Sequence, residues 1–168
     1  MPADTPVPGV AGLRIRRAVR AVVIDPRQRV LLVRFEFPGE GTRWALPGGG
    51  VEPDETDHDA LRRELVEEVG LHHPVIGPHI WNRLHIVPFV DGSHDGQRER
   101  IYLIETAGFE PAPALSWNEL HAEYLFELRW WHVDDLSEGL PFAPQDLQSN
   151  LRRLLQDGPP DPPVDISV

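Results

Sequence analysis

The hydrophobic residues of the chain fall into short runs whose spacing changes from two to about 3.6 and back. RAVRAVVID (residues 17–25) and RVLLVRFEF (29–37) are apolar, β-branched runs parted by the turn residues Asp25 and Pro26, which predicts two neighbouring strands. WALP (44–47) reads as a strand running into glycines. HIWNRLHIVPFV (79–90) and RERIYLIETAG (98–108) flank Asp91-Gly92-Ser93-His94-Asp95-Gly96, the pattern of a hairpin with a long turn, and LRWWHV (128–133) is a further strand. Between Pro53 and Gly70 the chain has neither proline nor glycine, and Thr56 with Asp59 three residues on makes a weak capping box. A helix over about Asp57 to Val69 follows, with Leu61, Leu65 and Val69 on one stripe. Leu147, Leu151, Leu154 and Leu155 have the i, i+4, i+7, i+8 spacing of a second amphipathic helix, which Gly158 would stop. Strands mixed with two helices, and no internal repeat, predict an α/β fold with helices packed on a mixed sheet.

Composition narrows the partners. The 168 residues suit one domain. Prolines and glycines make 1–12 a flexible N-terminal tail and 158–168 a Pro-rich C-terminal tail around a folded domain at 13–157. No apolar run reaches the length of a membrane span, and the first residues lack a signal-peptide core, so a cytoplasmic location is expected. With no cysteine, any metal must be held by oxygen or imidazole. A formal net charge of −11 argues against a nucleic-acid polymer or an anionic membrane as partner. Arg14, Arg16, Arg17 and Arg20 alternate with Ile15, Ala18 and Val19 and read as the solvated face of a strand.

The first helix carries Glu64, Glu67 and Glu68 on an arc beside its apolar stripe, with Ala60 between two of them on the wheel and leaving room in front of the carboxylates. Like charges at i, i+3 and i+4 repel by a few tenths of about 1 kcal/mol per pair, and the C-terminal end of a helix favours cations. Two readings compete: a solvated acidic face relieved by Arg62 and Arg63, or a site where a divalent cation removes the repulsion through oxygen ligands. The run Pro47-Gly48-Gly49-Gly50 before the helix favours the second, since bare backbone can approach a ligand closely.

Gly49, Glu55, Arg63-Glu64-Leu65-Val66-Glu67-Glu68-Val69-Gly70-Leu71, at these intervals, resembles the Nudix box over 23 residues without a departure. The resemblance implies the Nudix fold, a mixed β-sheet sandwiched between α-helices. It also implies hydrolysis of a nucleoside diphosphate linked to another moiety, with Mg²⁺ or Mn²⁺ as cofactor and water attacking phosphorus. Glu64, Glu67 and Glu68 would be metal ligands with the carbonyl of Gly48, and Glu64 would also orient or deprotonate the water. Arg63 would hold Glu67 or Glu55, Glu55 would tie the loop to the helix, and Gly49 and Gly70 would shape its two ends. The family often adds an acid beyond the box. Of Glu119, Glu123 and Glu127, Glu123 is favoured because it lies a loop's length before Trp130.

The remaining candidates are weaker. Trp44, Trp130 and Trp131 fit sheet packing better than base stacking, whereas Trp81 and Trp117 are ambiguous. The eight histidines lack metal-ligand spacing, and Arg98 and Arg100 fit an exposed turn as well as a phosphate. Specificity is expected in the loops 37–43 and 91–97. The partner expected is a small nucleoside diphosphate-type molecule, with the oligomeric state open and a homodimer allowed. An alternative is a non-catalytic nucleotide-binding Nudix-like regulatory module, which degenerate box acids would favour. A Nudix-fold isoprenyl diphosphate isomerase needs a cysteine that this chain lacks.

Overall fold

The computed structural model describes residues 10–137 and 139–167; most of the expected N-terminal tail lies outside them. The strands are β1 (Ile15–Ile24), β2 (Arg29–Phe37), β3 (Gly41–Ala45), β4 (Gly48–Gly50), β5 (His79–His85), β6 (Gly96–Glu105), β7 (Leu125–His132), β8 (Phe142–Ala143) and β9 (Val164–Asp165). They form one mixed sheet in the order β8-β3-β2-β1-β6-β5-β9, with β4 pairing β1 and β7 pairing β2. The central β1–β6 ladder is parallel, while β1–β2, β5–β6, β2–β3 and β2–β7 are antiparallel.

Strand alternation splits the core into two layers. Val22, Ile24, Leu32, Trp81, Ile101 and Leu103 face α3 (Leu147–Asp157), whose Leu147, Leu151 and Leu154 pack against them. Val19, Ala21, Val23, Leu31, Val33 and Ile104 face α1 (Asp57–Val69), which contributes Ala60, Leu61, Leu65 and Val69. The helices therefore lie on both faces, the arrangement that α/β sheets require to bury both sides.

Several expectations change in detail. Leu155 stands out of the α3 stripe and is exposed. Ala60 is fully buried in the core, so it packs the helix onto the sheet and leaves no space before the carboxylates. The strand before the hairpin stops at His85, and Ile86 and Val90 are exposed, since Pro88 removes a ladder donor. A third helix, α2 (Trp117–Ala122), was not expected; Ser116 and Glu119 close a full capping box at its start. At the other end of the chain, β9 pairs with the edge of β5 and Ile166 is buried in the α3 layer, so residues 164–166 lie on the sheet. Trp130 and Trp131 pack partly into opposite layers, as their alternation suggested. Among the described residues no helix is long and apolar enough to cross a membrane.

Candidate active site

The site is built where β4 meets α1. Thr56 caps the helix by accepting from the Asp59 amide at 3.1 Å. Gly70 ends it in the left-handed region at φ +73. The last-turn carbonyls of Val66, Glu67 and Val69 accept from the backbone amides of Ala114, Leu115 and Ala112 at 3.0–3.2 Å. This backbone seam satisfies groups that a helix terminus otherwise leaves orphaned. It also fixes α2, since Ser116 follows directly.

A Cβ on Gly70 would sit 1.9 Å from the Ala112 carbonyl oxygen, in a conformation that side chains adopt at a cost of about 1–2 kcal/mol. Gly70→Ala is expected to break the seam and lower Tm by roughly 4–8 °C, at about 2–4 °C per kcal/mol for a chain of this size. Thermal unfolding followed by circular dichroism checks this, and an unchanged Tm would contradict it.

The glycines of β4 are needed at close quarters. β4 pairs with β1 through Gly48, Gly49 and Gly50 opposite Arg20, Val19 and Ala18. A Cβ on Gly49 would lie 2.4 Å from Oε1 of Glu64, so the carboxylate occupies the space that glycine leaves. The Gly48 amide donates to Oε2 of Glu68 at 3.1 Å.

Arg63 organises the rest. Its Nε and Nη2 donate to the two carboxylate oxygens of Glu55 at 2.8 and 2.7 Å, Nη2 also to the Gly50 carbonyl at 3.0 Å, and Nη1 to Oε1 of Glu64 at 3.0 Å. Glu67 is a looser partner at 3.5 Å, so the alternative left open by the sequence resolves mainly toward Glu55. The bidentate geometry and the Glu52 amide hold the Glu55 carboxyl down at about 2.

The carboxylates themselves are crowded. Glu68 is only 3% exposed. Burial pushes its carboxyl up to about 8, the charge of Glu64 adds to the rise, and Arg20 and the Gly48 amide oppose it. Glu64 is also raised, first by burial, with Glu67 and Glu123 adding and Arg63 opposing. Glu123 caps the end of α2. Desolvation against its neighbours, then the charge of Glu67, raise its carboxyl as well. Glu119 instead closes the α2 capping box and Glu127 pairs with Arg129 at 2.8 Å, whereas the charge of Glu123 bears on Glu64 and Glu68.

Among the described residues no three acid or imidazole side chains already surround a common point. The carboxylates are held instead by Arg63, the Gly48 amide and one another's repulsion. Their chemistry nevertheless fits a hard divalent cation: oxygen donors, buried carboxyls whose ionised form burial and mutual repulsion disfavour, and a glycine backbone beside them.

The sequence pattern misread two arginines. Arg20 is not a solvated side chain: its Nε donates to the buried Glu99 at 2.7 Å and its Nη1 to the Leu46 carbonyl at 2.8 Å. Glu99 also receives Gln97 and Arg83 at 2.8 and 3.3 Å. Arg16 bonds Gln97. Arg20 lies in phase with the core residues Val22 and Ile24, and that phase was the available signal. Arg17, on the other face, does fit the solvated reading, pairing with Asp57 at 3.3 Å. Arg100 also pairs with Asp57, at 3.2 Å.

Comparison with known proteins agrees with this architecture. The profile of the NUDIX domain matches residues 14–157, and the chain belongs to the Nudix family. Its sequence is similar to the nucleoside triphosphatase NudI of Enterobacter sp. (strain 638), 39% identical over 74 residues, which is 42% of this chain and 48% of that protein. The match to the RNA pyrophosphohydrolase of Novosphingobium aromaticivorans is longer, 28% identical over 136 residues, 70% of this chain and 84% of that protein. The chain spans about half the length of the NudI relatives it matches. Among solved structures, the NUDIX domain of Shewanella oneidensis NrtR complexed with ADP ribose superposes with TM-score 0.63 at 20% identity, covering 90% of this chain and 94% of that one. The E. coli ORF135 protein gives TM-score 0.60 at 22% identity, covering 94% of this chain and all of the other. At these identities the likeness is one of fold.

Proposed function

We propose that the protein is a metal-dependent hydrolase that cuts a phosphoanhydride bond in a small nucleoside di- or polyphosphate compound. The observation that carries the reading is the buried pair Glu64 and Glu68, set against the bare backbone of Gly48 and Gly49 with Glu67 and Glu123 at the rim. Folding alone does not favour this arrangement, because two acids lose solvation and repel each other for no packing gain.

Glu64, Glu67 and Glu68, with the Gly48 carbonyl and Glu123 available from the rim, would hold Mg²⁺ or Mn²⁺. The bound cation would offset phosphate charge and acidify water. The chain's own groups supply positioning. Arg63 fixes Glu64 through Oε1, which leaves Oε2 of Glu64, without a hydrogen-bond partner among the described residues, to accept a proton. Water attack forms one P–O bond, the bridging P–O bond breaks, and its electron pair leaves with the departing phosphate. Such a transfer needs orientation and charge stabilisation rather than a protein nucleophile.

The names of the relatives support a nucleotide substrate, and the acidic surface favours a small molecule over a polymer. The test is phosphate release, with pyrophosphatase or phosphatase coupling. The panel comprises NTPs, 8-oxo-dGTP, ADP-ribose, nucleotide sugars, dinucleoside polyphosphates and a 5′-triphosphorylated RNA, with Mg²⁺ or Mn²⁺ and with EDTA. Turnover of a small substrate that EDTA abolishes is expected. Nucleotide binding without turnover would favour a regulatory module, and turnover of RNA alone would overturn the small-molecule assignment.

A further inference from the structure

Three guanidinium groups lie near the acids, and two of them are each held by oxygens of more than one residue. Arg63 is spent on Glu55, Glu64 and the Gly50 carbonyl, and Arg20 on Glu99 and the Leu46 carbonyl. Arg16 differs. Its Nε and Nη2 both donate to Oε1 of Gln97, at 2.9 and 2.7 Å, and its guanidinium lies over the Phe89 ring, 4.8 Å from the centroid. These contacts fix one edge and one face of the group. The remaining nitrogen, Nη1, has no hydrogen-bond partner among the described residues and lies over Gly50, where a Cβ would be 3.1 Å from it.

We propose that Arg16 binds a substrate phosphate oxygen beside the bond that is cut, using Nη1 across the bare backbone of Gly50. The assignment rests on the acid-site reading above and adds to it a protein cation that contacts substrate. Position supports it: the positive charge of Arg16 is felt by both Glu64 on α1 and Glu123 at the end of α2. So does preorganisation, because a guanidinium already clamped by Gln97 and Phe89 loses little freedom when it gains an oxyanion. Nη1 is not one of the buried atoms left without a partner, so it is open to solvent, and a phosphate oxygen can take the place of water there in a charge-assisted bond. A purely structural brace between β1 and β6 needs only the Gln97 edge.

The probe is inorganic pyrophosphate with Mg²⁺, titrated calorimetrically at constant ionic strength into wild type, Arg16→Gln, Arg16→Lys and Arg17→Gln. Wild type is expected to bind, Arg16→Gln to bind at least about tenfold more weakly, and Arg16→Lys to fall between them, as loss of a bond to a charged group predicts. Arg17→Gln, altered on the opposite face of β1, should match wild type. Mn²⁺ binding in the absence of pyrophosphate should be the same in Arg16→Gln and wild type. Equal pyrophosphate binding by wild type and Arg16→Gln would overturn the assignment while leaving the acid site standing. Loss of Mn²⁺ binding in Arg16→Gln would also overturn it, by showing a structural role. Failure of wild type to bind either probe would overturn the acid site and Arg16 with it.

Discussion

Glu68→Gln is expected to lower turnover by about 10²-fold or more while leaving the fold intact, the scale at which removal of one preorganised electrostatic group acts. Glutamine keeps the shape, and its carbonyl oxygen can still accept from the Gly48 amide that Glu68 holds at 3.1 Å. What disappears is the negative charge available to a cation. The same substitution should change the pH dependence of stability in metal-free protein. The folded carboxyl of Glu68 stands near 8, above its ordinary value of 4.5, so the folded state keeps a proton that the unfolded chain releases. The contribution of this carboxyl is therefore fully present below pH 4.5 and is lost as pH rises toward 8, with a slope of up to about 1.4 kcal/mol per pH unit for one proton. Denaturant unfolding in EDTA at pH 5 and pH 8 should show this fall in wild type, and a smaller one in Glu68→Gln. Near-normal turnover in the variant, or an unaltered pH slope, would contradict the role given to Glu68.

Arg20→Leu is expected to destabilise the protein by about 3 kcal/mol or more, because breaking a buried ion pair leaves its partner's charge uncompensated. Glu99 lies inside the sheet layer with Arg20 at 2.7 Å and Arg83 at 3.3 Å. Burial alone would raise its carboxyl, but Arg20 and Arg83 hold it below the ordinary value. Without Arg20 that balance weakens and Glu99 is driven toward its neutral form. The double variant Arg20→Leu, Glu99→Leu should recover much of the loss, since replacing both members of a buried pair by apolar groups is far milder than removing one. Urea midpoints for wild type, the single variant and the double variant decide this. A single variant as stable as wild type would show that Arg83 suffices.

The fold and the acid helix were legible for different reasons. Helix α1 was bounded at both ends by local chemistry, the Thr56 cap and Gly70, so its expected and observed limits agree. The β1–β2 and β5–β6 pairs announced themselves through alternating apolar runs and the turns between them. Helix α2 stayed hidden because six residues carry too little periodicity, although Ser116 and Glu119 wrote its start in the sequence. The placement of Glu123 beside the box follows from amides at 112, 114 and 115 meeting the carbonyls of α1, a contact between distant segments that no local pattern encodes. The arginines of β1 were misread because alternation gives the face of a strand but not what covers that face. Arg20 is in phase with Val22 and Ile24, and only the packing of β6 shows that Glu99 waits opposite.

The central claim, that Glu64, Glu67 and Glu68 form a cation site, is tested most directly by titrating Mn²⁺ into metal-free wild type and Glu68→Gln. Free ion is followed by electron paramagnetic resonance at a pH above 8. Wild type should take up Mn²⁺ and the variant should bind at least tenfold more weakly, a change of about 1.4 kcal/mol in binding free energy. Equal uptake by the two proteins, or none by wild type, would contradict the account.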